Sequence, residues 1–107
     1  MKYFKNSREV SLSFSESGQM IESEEDMAMS DLAPEVAAAI TQYIKTEYPG
    51  AAVLELEKRV DRNKQEFIDV EIRHRSSSSG YWELSFSPAG RYISRELEDV
   101  EIINTLN

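Results

Sequence analysis

The chain contains no cysteine, and its 107 residues include a single histidine. Without cysteine, disulfide bonds, thiolate metal sites and a cysteine nucleophile are excluded. A lone histidine also leaves a histidine-based metal site or a Ser-His-Asp triad short of partners. We therefore expect no catalytic residue, no metal site and no cofactor, and a protein that is not an enzyme.

Basic residues and long apolar runs are also scarce. Lys and Arg total 12 against 20 Asp and Glu, which gives a net charge of −8 with His neutral. Binding of nucleic acid needs clustered Lys and Arg, so we expect no nucleic-acid partner. No apolar run approaches the roughly 20 residues of a spanning helix, so we expect no membrane insertion. The length suits a single domain, residues 1–107.

The first residues do not have the pattern of a secretory signal. Basic residues are present at Lys2, Lys5 and Arg8, but no apolar stretch follows them. We therefore expect no signal peptide in this chain. A cytoplasmic location stays open, because the lack of cysteine is compatible with either compartment.

One segment has the periodicity of an amphipathic helix, from Pro34 to Tyr48. Proline is tolerated in the first turn of a helix, and Pro49-Gly50 would end it. Apolar residues recur at three- and four-residue steps and form one stripe. The stripe consists of Val36, Ile40, Tyr43, Ile44 and Tyr48.

Most of the remaining chain alternates between apolar and polar residues, which is typical of half-buried strands. Short turns join these strands, so we expect antiparallel pairing. The predicted fold class is α+β: an antiparallel sheet with one amphipathic helix packed on one face and a largely polar opposite face. We interpret the acidic run Glu22–Asp26 as a solvated strand end or linker. Order of undetermined type is expected at Val100, Ile102, Ile103 and Leu106.

Two stretches of ten residues, starting at Leu12 and Leu84, share six identities. Either two hairpins of one sheet have converged on the same turn chemistry, or a unit has been duplicated. We favour duplication. Residues 1–30 would then be the closing hairpin of a first, incomplete repeat, and residues 31–99 would be one complete helix-plus-strands repeat.

The second repeat resembles a known family in the order of its segments. The helix ends in Tyr48-Pro49-Gly50, strands follow at residues 54–58 and 67–72, and the segment 84–90 (LSFSPAG) closes the unit. This order resembles the PepSY-like domains described as β-lactamase-inhibitor-like, over roughly residues 32–98. Two departures are Ala33 between the leading Leu and Pro, and Ser87 where the family has a hairpin Asp.

The resemblance implies a small extracytoplasmic bacterial domain, often in tandem and mostly of unknown function. A periplasmic or other extracytoplasmic location is therefore an expectation from resemblance alone. The inhibitor name rests on fold likeness, which is a weak basis for assigning function.

Three features invite a chemical interpretation, and each has a simpler structural one. His74 follows a strand and has no second His or Cys to join it. The run Ser76–Ser79 has no nucleophile elbow around it and is predicted to be a flexible loop. The acids of Glu22–Asp26 lack the ligand spacing and glycine of a calcium loop.

A partner-binding surface is the functional hypothesis that remains. We expect the open sheet face, with mixed charge, to dock a protein partner, which would be a peptidase or other hydrolase that the domain restrains. Aromatic residues are favoured as interface anchors. The alternative is a structural module that self-associates through its sheet edges as a homo-oligomer. The predicted contact residues are Tyr81, Glu83, Tyr92, Glu71 and Arg73.

Overall fold

The computed structural model describes residues 1–5 and 8–99. Val100, Ile102, Ile103 and Leu106, for which order was expected, lie outside these residues. The described part contains seven strands, one α-helix and two short 3-10 turns, Met29–Asp31 and Arg75–Ser77. The strands and helix are β1 (Lys2–Lys5), β2 (Arg8–Phe14), β3 (Met20–Asp26), α1 (Pro34–Glu47), β4 (Ala52–Asp61), β5 (Glu66–Arg73), β6 (Tyr81–Phe86) and β7 (Tyr92–Glu98).

All strands belong to one sheet, whose spatial order β1-β2-β3-β4-β5-β6-β7 is the order of the chain. Every neighbouring pair is antiparallel. The helix α1 connects β3 to β4 and packs on one side of the sheet, which we call the helix side. The predicted α+β class, with an antiparallel sheet and one helix on one face, is confirmed.

The helix begins at Pro34, as predicted, and ends at Glu47, one residue before the predicted end. Tyr48 is the C-terminal cap, and its N–H donates to the carbonyl of Ile44 at 2.8 Å. Gly50 then takes φ +83°, a left-handed conformation that favours glycine and turns the chain toward β4. Within the described residues, no helix is both long and apolar enough to span a bilayer.

The core lies between α1 and the last four strands. Ile40 and Ile44 of the helix stripe are buried, as is Tyr48 at its end. Alternation in β5 and β6 supplies the opposite wall, because residues two apart share a sheet face. The buried strand residues of this core are Leu56, Ile68, Val70, Ile72, Leu84 and Phe86.

Two expectations about the N-terminal half need correction. Lys2–Lys5 forms a strand that the sequence analysis did not predict. The acidic run Glu22–Asp26 is part of β3, hydrogen-bonded between β2 and β4, and is therefore not a linker. Neighbouring strands on both sides satisfy the backbone hydrogen-bonding groups of this run. Its charged side chains therefore lie on the two faces of the sheet.

The serine-rich segment is a structured turn in the described chain rather than an unconstrained loop. The Ser77 side chain is buried and donates to the carbonyl of His74 at 2.6 Å. Ser76 Oγ lies 2.7 Å from His74 Nδ1 and accepts from Trp82 Nε1 at 2.9 Å. His74 Nε2 lies 3.2 Å from the carbonyl of Pro49. His74 thus ties the end of β5 to the end of α1, which is a structural role.

Candidate functional site: the open sheet face

The side of the sheet opposite α1 is what we call the open face, and acidic residues dominate it. Strand register places side chains from all seven strands, β1 through β7, on this face, because cross-strand partners share a side. Within residues 1–5 and 8–99, the register gives it three cationic residues, Lys2, Arg59 and Arg73. Its acidic residues include Glu9, Glu22, Glu24, Asp26, Glu55, Glu57, Asp69, Glu71, Glu83, Glu96 and Glu98.

The open face was predicted to carry mixed charge, but acidic residues far outnumber basic residues on it. Lys58 pairs with Ile68 and therefore lies on the helix side. Arg75 belongs to the 3-10 turn after β5 and not to the sheet. The open-face residues of β3 that pair with β4 are all acidic, and they add to the negative charge of this face.

Four of the five predicted contact residues lie on the open face. Glu71 and Glu83 are direct cross-strand partners, and Tyr81 is paired with Glu98. Arg73 is exposed at the end of β5. The structure therefore brings Tyr81, Glu83 and Glu71 together, with Arg73 beyond them.

Tyr92 lies on the other side of the sheet, which corrects its predicted place on the open face. Its ring stacks on that of Tyr43 in α1, with centroids 4.7 Å apart and an interplanar angle of 11°. The cause is an irregularity in β7: Ser85 pairs with Ser94, but Phe86 pairs with Tyr92. The extra residue, Ile93, reverses the alternation, as a β-bulge does.

A partly buried ion pair lies at the centre of the open face. Asp69 is 2% exposed, and its Oδ2 accepts from Arg59 Nε at 2.7 Å. Ser85 Oγ donates to Asp69 Oδ1 at 2.8 Å. The Arg59 guanidinium also lies 4.2 Å from the ring centroid of Phe67. Arg59 thus pairs with Asp69 and packs against Phe67, and its charge also acts on the neighbouring Glu22, Glu24 and Glu83.

The carboxylates around this pair form a connected band. Asp26, Glu55 and Glu57 bring oxygens within 4.8 Å of one another. Glu57, Glu71 and Glu83 form a second such trio, and Glu83, Glu96 and Glu98 form a third. Because the trios share Glu57 and Glu83, the band crosses the sheet from β3 to β7.

Burial and the crowding of like charges raise the pKa of three glutamates in this band. Burial, a hydrogen bond with Glu55 and the nearby charge of Glu24 raise the pKa of Glu57 to about 9. Burial and the charge of Glu55 raise the pKa of Glu71 to about 7. Burial, Asp69 and Glu71 do the same for Glu83, whose pKa is also about 7.

Two further groups at this surface shift in the same direction. Burial and the charge of Glu22 raise the pKa of Glu24. Burial and the charge of Glu71 raise the pKa of the Tyr81 hydroxyl. The open face therefore holds protons at neutral pH and releases them as the pH rises from about 5 to about 9.

The oxygen trios have the ligand chemistry that hard cations prefer, since Ca²⁺ and Mg²⁺ bind carboxylates. Ca²⁺ takes roughly six to eight oxygens, and the trios are segments of one broad acidic band rather than separate cages. Glu57 and Glu83 are the residues best placed to contact a cation, because each belongs to two trios.

The band borders a hollow in the open face. Its volume is about 530 Å³, and its lining is mostly polar. Glu22 and Glu24 line it from β3, Arg59 from β4, and Glu83 and Ser85 from β6. A concave charged surface of this kind suits a protruding group of opposite charge.

Sequence reasoning missed Glu24, Glu57 and Asp69 as members of the site. Alternation alone puts Glu57 and Asp69 on the polar faces of their strands, so that signal was available in the sequence. What it lacked was the register of β3 against β4, which pairs Asp26 with Glu57 and Glu24 with Arg59.

Comparison with known proteins gives matches to solved structures. No family model matches the chain. The search of curated proteins finds no match either. A DUF2874 family protein from Bacteroides uniformis superposes with a TM-score of 0.72 at 20% sequence identity, covering 89% of this chain and 67% of that one.

Two other Bacteroides structures are similar to the same degree. A BLIP-like (β-lactamase-inhibitor-like) protein from Bacteroides fragilis gives a TM-score of 0.69 at 16% identity, covering 92% of this chain and 66% of that one. A Bacteroides eggerthii protein, assigned provisionally to the periplasm by its description, gives 0.69 at 14% identity, covering 89% and 66%. The chain thus has a β-lactamase-inhibitor-like fold and spans about two thirds of the length of these structures.

Proposed function

We propose that this chain is a non-catalytic, PepSY-like protein-binding module that docks a protein partner on its open sheet face. The partner presents a cationic protrusion to the acidic band. A peptidase or another hydrolase that the module restrains is the kind of partner we favour. We place the module outside the cytoplasm, which the provisional periplasmic description of a structural neighbour supports weakly.

One observation carries this proposal, namely that the open face keeps like charges directly opposite one another. Glu71 faces both Glu55 and Glu83, and Glu83 also faces Glu96. Like charges in opposing positions destabilise a sheet. A basic partner would relieve the repulsion on binding, and complementary charge also speeds association.

The predicted contact residues have distinct roles in this proposal. Glu71 and Glu83 supply charge at the middle of the face, within the acidic band. Tyr81 supplies an apolar ring beside them, since tyrosine is favoured as an interface anchor. Arg73, exposed at the end of β5, would select against a uniformly basic partner surface.

The experiment is a capture from a bacterial envelope extract on the immobilised intact chain, with bound proteins identified by mass spectrometry. The test variant is the double substitution Glu71→Gln and Glu83→Gln. The matched control is Glu35→Gln with Glu47→Gln, which changes the net charge equally on the exposed surface of α1. We expect one partner near equal stoichiometry that the control retains and the test variant loses.

Binding should also strengthen as the pH rises from about 5 to about 8. Glu71 and Glu83 ionise in this range, so the attraction to a cationic partner grows. Equal retention by both double variants, or an affinity that is flat with pH, would contradict docking through the open face. An assay of the captured partner's activity with and without the module then tests restraint, and detectable turnover by the module itself would contradict a non-catalytic role.

Self-assembly through a sheet edge is the second candidate function. β7 has seven residues, and in the described part of the chain it pairs on one side only, with β6. Exposed strand edges are templates for pairing with another chain. Sedimentation velocity at rising protein concentration tests this candidate, which predicts a concentration-dependent homo-oligomer.

A further inference from the structure

Two hairpins of the sheet have the same turn, as their sequences suggest. In the β2–β3 hairpin, the N–H of Ser15 donates to the carbonyl of Gln19 at 2.8 Å. In the β6–β7 hairpin, the N–H of Ser87 donates to the carbonyl of Arg91 at the same distance. Gly18 and Gly90 follow, with φ of +88° and +89°.

The strands beyond the turn also match, because both hairpins shift register at the same point. Phe14 pairs with Met20 across the first shift, and Phe86 pairs with Tyr92 across the second. Tyr92 lies on the helix side, so the matching geometry puts Phe14 and Met20 on that side too. Two residues before these phenylalanines, Leu12 of the first hairpin corresponds to Leu84 of the second.

What lies above the two hairpins is different. The helix α1 covers β6–β7 so closely that a Cβ added at Gly90 would lie 3.1 Å from the Ala39 Cβ and 3.2 Å from the Val36 carbonyl oxygen. A Cβ at Gly18 would meet nothing within 4 Å. Phe86 is 0% exposed, whereas Phe14 is 48% exposed.

We infer that the helix side of the β2–β3 hairpin is a seat for an amphipathic helix of a partner polypeptide, with the chemistry of α1. The fold itself shows which element fits this surface, because α1 already covers its counterpart. Leu12, Phe14 and Met20 form the apolar floor of this seat, and Gly18 marks its end. The open face and the seat are on opposite sides of the sheet, so this inference does not depend on the proposed function.

The chemistry of the partner helix follows from the contacts of α1. A small residue must approach Gly18, as Ala39 approaches Gly90. One turn later, an aromatic residue should cover Phe14 and Met20, because Tyr43 makes an edge-to-face contact with Phe86 at 5.6 Å and stacks on Tyr92. Branched aliphatic residues equivalent to Ile40 and Ile44 complete the stripe.

The test uses a synthetic peptide with the sequence of residues 32–51 as the probe. A covalent link between the side-chain positions of Gln42 and Thr46 holds it helical, since isolated helices of this length are marginal in water. Both positions are exposed on α1. The peptide is titrated into the intact, isotope-labelled chain, and backbone amide chemical shifts are followed by NMR.

We expect saturable shifts at Leu12, Phe14, Gly18 and Met20, with little change at Phe86, where α1 is already in place. A control peptide with Asp at the positions of Ile40 and Ile44 should not bind. Phe14→Ser should weaken the binding about tenfold, which corresponds to about 1.4 kcal/mol. Phe4→Ser should leave it unchanged, because Phe4 is also exposed to solvent, at 74% against 48% for Phe14, but lies on the open face.

Three results would overturn the inference. The first is the absence of saturable shifts at the hairpin, or equal shifts with the control peptide. The second is binding at β6–β7 by displacement of α1. The third is dimerisation of the free chain that Phe14→Ser abolishes and Phe4→Ser does not, since a second copy would then cover the seat.

Discussion

Phe14 and Phe86 follow the same residues, lie at the same irregularity of their hairpins and pair with the residue two places after the turn glycine. One is half exposed, and the other is in the centre of the core. The hairpins differ in whether a helix lies above them. Local sequence is therefore sufficient to build the turn and the bulge, but it does not determine which hairpin belongs to the core.

The two hairpins also differ in the side chains at matching positions on the helix side. Tyr92, Arg95 and Trp82 of the covered hairpin contact α1 or each other, with Arg95 Nη1 donating to the Tyr48 hydroxyl at 2.9 Å and its guanidinium lying 3.9 Å from the Trp82 ring centroid. The matching positions in the first hairpin are Met20, Ser23 and Val10. Large side chains that make stacking, cation–π or hydrogen-bond contacts are thus found in the hairpin that α1 covers.

The largest expected difference between the hairpins comes from truncating their phenylalanines. Phe86→Ala should lower the free energy of unfolding by about 3–5 kcal/mol, because it leaves a cavity in the core. Phe14→Ala should change it by about 0.5–1 kcal/mol, since that ring is half exposed. Urea denaturation of both variants measures the two effects. Similar losses of unfolding free energy would show that a second core lies under Phe14. The two hairpins would then not differ as described.

The turn glycines should show a smaller contrast. Gly18→Ala places a Cβ on a left-handed backbone, which costs about 1 kcal/mol. Gly90→Ala adds the close approach of Ala39 and should cost more, about 2 kcal/mol in all. Thermal unfolding of the two variants under one set of conditions gives the difference. An equal effect would mean that α1 yields to the added methyl group.

The smallest effect concerns a position on the open face where the hairpins differ, Glu83 against Ser11. The pKa of Glu83 is raised to about 7, so the folded state holds this proton where the unfolded state has lost it. Stability should therefore fall as the pH rises from about 5 through about 7. Glu83→Gln should remove part of this fall and gain up to about 1 kcal/mol at pH 8.

Chemical denaturation at pH 5 and pH 8 checks this prediction. Glu47→Gln, an exposed glutamate on α1, is the control and should give no pH-dependent gain. A gain for Glu83→Gln that is as large at pH 5 as at pH 8 would show that it does not come from charge repulsion around Glu71 and Glu83.

The helix and most strands could be predicted because their signals are local. Pro34 and Pro49-Gly50 mark the helix ends, and Ile68, Val70 and Ile72 alternate within one strand. Tyr92 could not be placed in this way. Its side of the sheet depends on a bulge at Ile93, and counting by twos through a bulge gives the wrong face.

The acidic band was less predictable than the fold. Each glutamate is visible in the sequence, but the band depends on the pairing of β3 with β4, and α1 separates these two strands along the chain. Asp26 and Glu57 become neighbours only through that pairing. Repulsion between them gives no local pattern, so the sequence alone predicts no more than a solvated strand end or linker for the run Glu22–Asp26.

The sheet order has a consequence for how the molecule folds. Nearly every strand pairs with its chain neighbour across a short turn, which favours rapid, local formation of hairpins. The pairing of β3 with β4 is the exception, since it closes a loop that contains all of α1 and brings Asp26 against Glu57. We therefore expect this junction to separate two cooperative units. The unit β1–β3, with less buried apolar surface, should open first and most often, while α1 with β4–β7 keeps its structure.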